Sequence, residues 1–343
     1  MNSSRRTFIK KSLLGSAVFA GSKIFNTSSD KLFASDEKAA VQLRKGLGNL
    51  FLKNGKPVLV VVEGTNKTEM LKKGIERLGG FDTLVKGKNV ILKPNTIAPG
   101  PYPVSTDPDF LIAVGKTAID AGAKKVSIFD SPGLSERIFK LMNLPEKTKG
   151  TGIELLPVDA TAVKFFIAVK NPSWEIMKEI SVSTYLKEAD VIINLPVVKR
   201  HLEAGFSCAM KNHFGSVYGP NRWDAHAKLH KGGSYNTWDE SFRVPFKKIA
   251  AEFSDAVRCE LNIVDAQHLL TKSGPLLDGA EIKKDVNRLV ICGDIVATDA
   301  FCSSLMLKND STYKLEMWEP AIKYGESLGL GTSDIKKTEL LEI

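Results

Sequence analysis

Short apolar runs alternate with amphipathic stretches along this chain. The runs are Val58–Val62, Asn89–Leu92, Val126–Phe129, Val191–Leu195, Leu261–Val264 and Leu289–Cys292. Their length and β-branched content fit strands of a parallel sheet buried on both faces. Between them, Thr68–Leu78, Asp109–Ala121, Leu134–Met142, Phe242–Val257 and Ile295–Leu307 place apolar residues three and four apart, the period of a helix with one buried face. The alternation predicts an α/β fold, a mostly parallel sheet with helices on both faces. One elaborated domain is expected over 57–331, with a tail over 332–343. Two stretches break the pattern. Lys147–Glu179 reads as an irregular or antiparallel excursion, and about 199–239 reads as a long inserted loop and helix region of the sort that forms binding loops.

The N-terminus has a different character. Ser4-Arg5-Arg6-Thr7-Phe8-Ile9-Lys10 is followed by an uncharged apolar stretch, Leu13–Ala20, the order found in a signal peptide. The stretch is shorter than the ~20 apolar residues of a spanning helix. Paired arginines followed by Phe, an aliphatic residue and Lys resemble the twin-arginine signal, which implies export in the folded state by the twin-arginine translocase to a periplasmic or otherwise extracytoplasmic location. The membrane is then a partner only through an uncleaved signal. Cleavage is expected after Ala20 or Ala34, and 35–56 reads as a tether with one helix, Glu37–Leu52. Loss of 1–34 removes six basic residues and Asp30, lowering the formal charge from +9 to +4. Much of the basicity therefore belongs to the signal, and a nucleic-acid partner is not expected.

Four cysteines, Cys208, Cys259, Cys292 and Cys302, form no C-x-x-C pair, which argues against an iron–sulfur cluster or a zinc ribbon. Glu63-Gly64-Thr65 follows the first strand without a G-x-G-x-x-G pattern, and neither a P-loop nor a G-x-S-x-G elbow occurs. Ordinary nucleotide binding and serine-hydrolase chemistry lose support.

Ligands of open parallel sheets bind beyond the carboxyl ends of the strands. Five predicted strands here run into Lys93-Pro94-Asn95, Asp130-Ser131, Lys199-Arg200-His201, Asp265 and Gly293-Asp294. Each has an ordinary alternative. Asp130 and Ser131 or Asp294 can cap helices, and Lys93 can pair with Asp130. The segment Gly205–Gly219 adds Lys211, Asn212 and His213, with Phe206, Met210 and Phe214 at four-residue spacing on an expected buried helix face. Arg222 and His226 follow. His226-x-x-x-His230, preceded by Asp224, is a weak metal pattern because Gly232-Gly233 interrupts any helix.

In order, Val90–Asn95, Asp130-Ser131-Pro132-Gly133, Ala189–Pro196 with Lys199 and His201, Lys211-Asn212-His213-Phe214-Gly215 with Arg222 and His226, Val264-Asp265-Ala266, Gly274-Pro275 with Gly279, and Gly293-Asp294 with Ala297-Thr298-Asp299-Ala300 resemble the family called domain of unknown function 362, over about 58–308. Some members carry cysteine-rich cluster modules, which this chain does not share. The resemblance supplies no reaction.

The residues point to an enzyme acting on a small anionic substrate, a carboxylate or phosphate. His201, His213, Lys211 and Lys93 are the expected catalytic groups, and Asn95, Lys199, Asn212, Arg222 and His226 the substrate-binding ones. Asp265, Asp294 and Asp299 are the expected oxygen ligands if a divalent metal takes part. The alternative is a non-catalytic periplasmic ligand- or cofactor-binding protein.

Overall fold

A computed structural model of the chain describes residues 42–97, 100–229 and 240–343. The twin-arginine segment, both expected cleavage points and His230 lie outside the described residues. The strands are β1 (Leu52–Lys53), β2 (Lys56–Glu63), β3 (Asn89–Pro94), β4 (Lys125–Ile128), β5 (Ile153–Leu155), β6 (Phe166–Val169), β7 (Ile180–Ser183), β8 (Val191–Leu195), β9 (Val197–His201), β10 (Gly205–Ser207), β11 (Leu261–Thr271), β12 (Glu281–Lys283), β13 (Arg288–Cys292) and β14 (Glu339–Glu342). The main sheet runs β1-β2-β13-β11-β8-β3-β4-β5, with β14 on β2, and β9 and β12 on β11.

The sheet is α/β and largely parallel, because helical crossovers return the chain to the same edge after β2, β3 and β4. In the middle of the sheet β13 is reversed, pairing antiparallel with both β11 and β2, and the short β1 and β12 are antiparallel to β2 and β11. The connection from β11 to β13 is a turn-back carrying β12 rather than a helix, so the chain re-enters the sheet from the opposite edge.

Alternation along the central strands divides the core. Val191, Ile193, Leu195, Leu261 and Ile263 face one layer, against the helices Lys67–Leu78 and Pro108–Asp120. Ile192, Val264, Val290 and Cys292 face the other, against the helices Glu240–Val257 and Ile295–Asn309. The expected helices on both faces are thus present, and the first is capped by the Asn66 side chain on the Thr68 and Glu69 amides.

Three expectations about the periphery are corrected. Residues 42–51 form no helix; Arg44 there is buried, paired with Glu260 at 2.8 Å and donating to the Ala189 and Asp190 carbonyls, so this stretch is docked rather than a free tether. The tail contains β14, which hydrogen-bonds along β2 from Glu339 to Glu342 and completes the sheet edge. The 199–239 region begins inside a strand: β9 continues beside β11 after Pro196, and β10 folds back on it. Phe206 therefore sits in β10, and of the stretch from Phe206 to Phe214 only Ala209–Asn212 is α-helical, yet Phe206, Met210 and Phe214 are all buried; a second helix, Gly219–Leu229, carries Arg222 and His226. The expected excursion, Lys147–Glu179, contains β5, a parallel strand of the main sheet, and β6, which pairs antiparallel with β7 just beyond it.

Candidate functional site

The cleft lies beyond the carboxyl ends of β3 and β4. It has about 60 Å³ of free space, with Asn95, Thr96, Asp130, Lys199, Ser207, Phe214 and Gly215 in its wall. His201, Lys211, Asn212, Arg222 and His226 also line it. Seven expected site residues thus converge from β3, β9 and the segment 211–226. Pro196 is the local cause on one side. It ends the β8 ladder, and β9 then carries Lys199 past the end of β3, where Nζ reaches Asn95 Oδ1 at 3.0 Å and the Val104 carbonyl at 2.7 Å.

Behind this wall, Lys93 pairs with Asp130 at 2.7 Å, both fully buried. The carboxylate is saturated: it also accepts from the Thr96 amide and hydroxyl and from the Ser131 amide. Gly215 packs against this pair; a Cβ there would stand 2.0 Å from Asp130 Oδ1 and 2.9 Å from Lys93 Nζ. The glycine of the Lys-Asn-x-Phe-Gly element is thus demanded by space. A chain of amides extends inward from the cleft. Lys199 donates to Asn95, Asn95 to Asn212 at 3.0 Å, Asn212 to Asn194 at 2.7 Å, Asn194 to Asn262 at 2.9 Å, and Asn262 to the Cys292 carbonyl at 3.2 Å. All its carbonyl ends point towards Lys199, a polarity that favours the ammonium at the cleft.

The cations facing the cleft lack carboxylate contacts. Lys211 Nζ sits 3.4 Å over the Phe214 ring and makes no hydrogen bond or ion pair among the described residues. Arg222 gives one guanidinium nitrogen to the Ser131 carbonyl and pairs with no carboxylate among the described residues. Burial lowers the pKa of Lys211 to about 7, with Glu203 opposing the shift and Arg222 adding to it. Burial and then the Lys211 charge bring Lys199 to about 7 as well. Burial alone brings Arg222 down to about 10, against the opposing pull of Asp130.

The histidines differ in what they can do. His201 Nδ1 accepts from the Glu203 and Ala204 amides, both at 3.2 Å, which leaves the ring proton on Nε2; burial, then Lys211 and Lys199, keep the ring neutral. His201 is therefore a donor and cannot serve as a base. His226 Nδ1–H donates to the Arg222 carbonyl at 2.6 Å, so its Nε2 holds the lone pair, 3.5 Å from Glu203. Burial lowers its pKa and Glu203 opposes the shift.

Other expected residues lie elsewhere. His213 is fully buried outside the cleft wall, its Nδ1 against Ser216 at 3.1 Å; burial and Lys93 lower its pKa to about 3. Lys93 likewise supports the wall from behind. The three aspartates do not share a site, and among the described residues no cluster of three or more His, Cys, Asp or Glu could hold a metal ion. Asp265 pairs with Lys67 at 2.7 Å and accepts from the Tyr102 hydroxyl at 2.6 Å. Asp294 caps the helix Ile295–Asn309 through the Ala297 amide, because the reversal of β13 delivers it to the opposite edge of the sheet. Asp299 accepts from the Ala209 amide and Trp318 Nε1, and burial raises its pKa to about 6. The site residue that reading the sequence missed is Glu203, whose one signal was its place two residues after His201.

The fold and cleft define an α/β protein with a cationic pocket at the carboxyl edge of its sheet. Residues 90–304 match the family described as Domain of unknown function (DUF362), and the chain belongs to it. It is 26% identical over 268 residues to the thylakoid-associated protein sll1697 of Synechocystis sp., across 77% of this chain and 75% of that protein. It is also similar to the lactate racemase apoprotein of Thermoanaerobacterium thermosaccharolyticum, with a TM-score of 0.44 and 17% identity over 74% of this chain; the matched part spans 58% of that protein.

Proposed function

We propose that this chain is an enzyme that binds a small anion between Lys199, Lys211 and Arg222 and removes a proton from it with His226. The observation that carries this reading is that Lys211 and Arg222 face the cleft without a carboxylate contact among the described residues. A buried cation left without a counter-charge is costly, and a bound anion removes that cost. His226 supplies the base: Nε2 takes the proton as the substrate's C–H or O–H bond breaks, the bonding pair stays on the substrate beside the Lys211 and Arg222 cations, the imidazolium keeps its Nδ1–H on the Arg222 carbonyl, and Glu203 balances the new charge. His201 Nε2–H stays a fixed donor to the bound oxygens. The Arg5-Arg6 segment supports folded export through the twin-arginine translocase as part of the same proposal. Incubating the full chain with the anionic metabolites of a cell extract, followed by mass spectrometry, tests the catalytic step. The wild type is expected to consume one anionic species that His226→Gln binds but leaves intact. Retention of an unchanged anion by the wild type would show a carrier.

A further inference from the structure

The charge, donor count and size of the cleft together select among anions. Lys199, Lys211 and Arg222 supply three positive charges around it. Asp130 is paired with Lys93 and its other lone pairs are taken by Thr96 and Ser131, so it makes no direct contact with these cations, although its field still favours the charged Lys199 and Arg222. Glu203, facing His226 from the turn after β9, is the remaining carboxylate acting on Lys211. With both lysines protonated, the state a bound anion favours, and His226 neutral, the balance is a net charge of two positive units.

Donors outnumber acceptors in the same way. Lys211 has three N–H groups without an acceptor among the described residues, Lys199 has one left after Asn95 and Val104, and His201 presents Nε2–H. Arg222 adds the N–H groups not used on Ser131. A carboxylate, with one charge and two oxygens, would leave a positive charge uncompensated and buried donors unpaired. The free space of about 60 Å³ admits one tetrahedral oxyanion.

We propose that the group anchored in this cleft is a phosphoryl dianion, as inorganic phosphate or as the head of a phosphate monoester. It rests on the anion-binding reading above and narrows it to one chemical class. Three terminal oxygens accept from Lys199, Lys211, Arg222 and His201, and two negative charges match the balance of the wall. Phe214 and the Phe246 ring, 5.2 Å from Lys211 Nζ, keep the ammonium dry and directed at the anion.

Titration calorimetry on the full chain at pH 7 and fixed ionic strength, with inorganic phosphate, methyl phosphate and acetate as the probes, tests it. Phosphate or methyl phosphate is expected to bind at least tenfold more tightly than acetate. Methyl phosphate equal to or tighter than phosphate identifies a monoester head; phosphate alone identifies the free ion. Lys211→Met and Arg222→Met are each expected to weaken the phosphate more than tenfold, and Lys140→Met, on the exposed helix Ser135–Leu141, to leave it unchanged. Acetate as tight as phosphate overturns the phosphoryl assignment and leaves the anion site standing. Failure of all three probes overturns both. The selectivity of the unaltered chain decides the matter even where a variant fails to fold.

Discussion

Lys199 and Lys211 differ in what holds them, and that difference sets their roles. Lys199 is bound through two neutral acceptors at the head of an amide chain, whereas Lys211 rests on an aromatic ring with its donors unused. Both titrate near 7 in the folded protein, against 10.5 for an ordinary lysine. The unfolded chain thus binds more protons between those values, and these two groups make stability rise with pH across that window. A bound anion reverses the preference by favouring the charged forms. Of the groups around them, Arg222 opposes protonation of Lys211 and Lys211 that of Lys199, whereas Glu203 favours the charged Lys211 and Asp130 the charged Lys199; His201 and His226 face the same cleft. Anion affinity is therefore expected to fall as pH rises above 7, by up to about tenfold per unit for each lysine that must charge. Calorimetry at pH 7.5 in buffers of different ionisation enthalpy should show proton uptake on binding. Equal affinities at pH 8 and 9.5, where the phosphate probe is already a dianion, with no uptake would refute it.

Among the elements, the short helix Ala209–Asn212 and the turn that follows bring most of the site into one place. Their position depends on the contact of Gly215 with the Lys93–Asp130 pair, which ties the turn to the ends of β3 and β4. Gly215→Ala forces a methyl group into the space of a buried carboxylate, and since that carboxylate is fixed by four partners it cannot turn aside. The expected loss is about 1–3 kcal/mol from overpacking alone. Urea unfolding measures it, and a change within about 0.5 kcal/mol would show that the contact relaxes freely. Tyr102 performs a similar task for the loop before Thr106. Its hydroxyl bonds Asp265 and the His268 amide, holding the stretch from which Val104 accepts Lys199.

For the whole molecule, both ends of the described chain are built into the α/β body, through Arg44 on Glu260 and β14 on β2. No helix among the described residues is long and apolar enough to cross a membrane. Export is expected to depend on the paired arginines and to follow folding. Replacing Arg5 and Arg6 together with lysine should leave folded protein in the cytoplasm, as read by cell fractionation with protease protection. Undiminished export of that variant would remove the twin-arginine route.

The sequence by itself determined the α/β class, the strand cores and seven residues of the cleft wall, because those rest on local periodicity and on the position of polar groups just after apolar runs. Tertiary structure decided the rest. The direction of β13 is set by pairing with β11 and β2, partners 22 or more residues away, and it moved Asp294 to the far edge. Whether Lys93 faces ligand or Asp130, and which ring nitrogen of His201 or His226 carries the proton, depends on neighbours that only the folded chain supplies. That Lys211 has no acceptor among the described residues belongs to the same category, since the pairing of a cation is a property of what surrounds it.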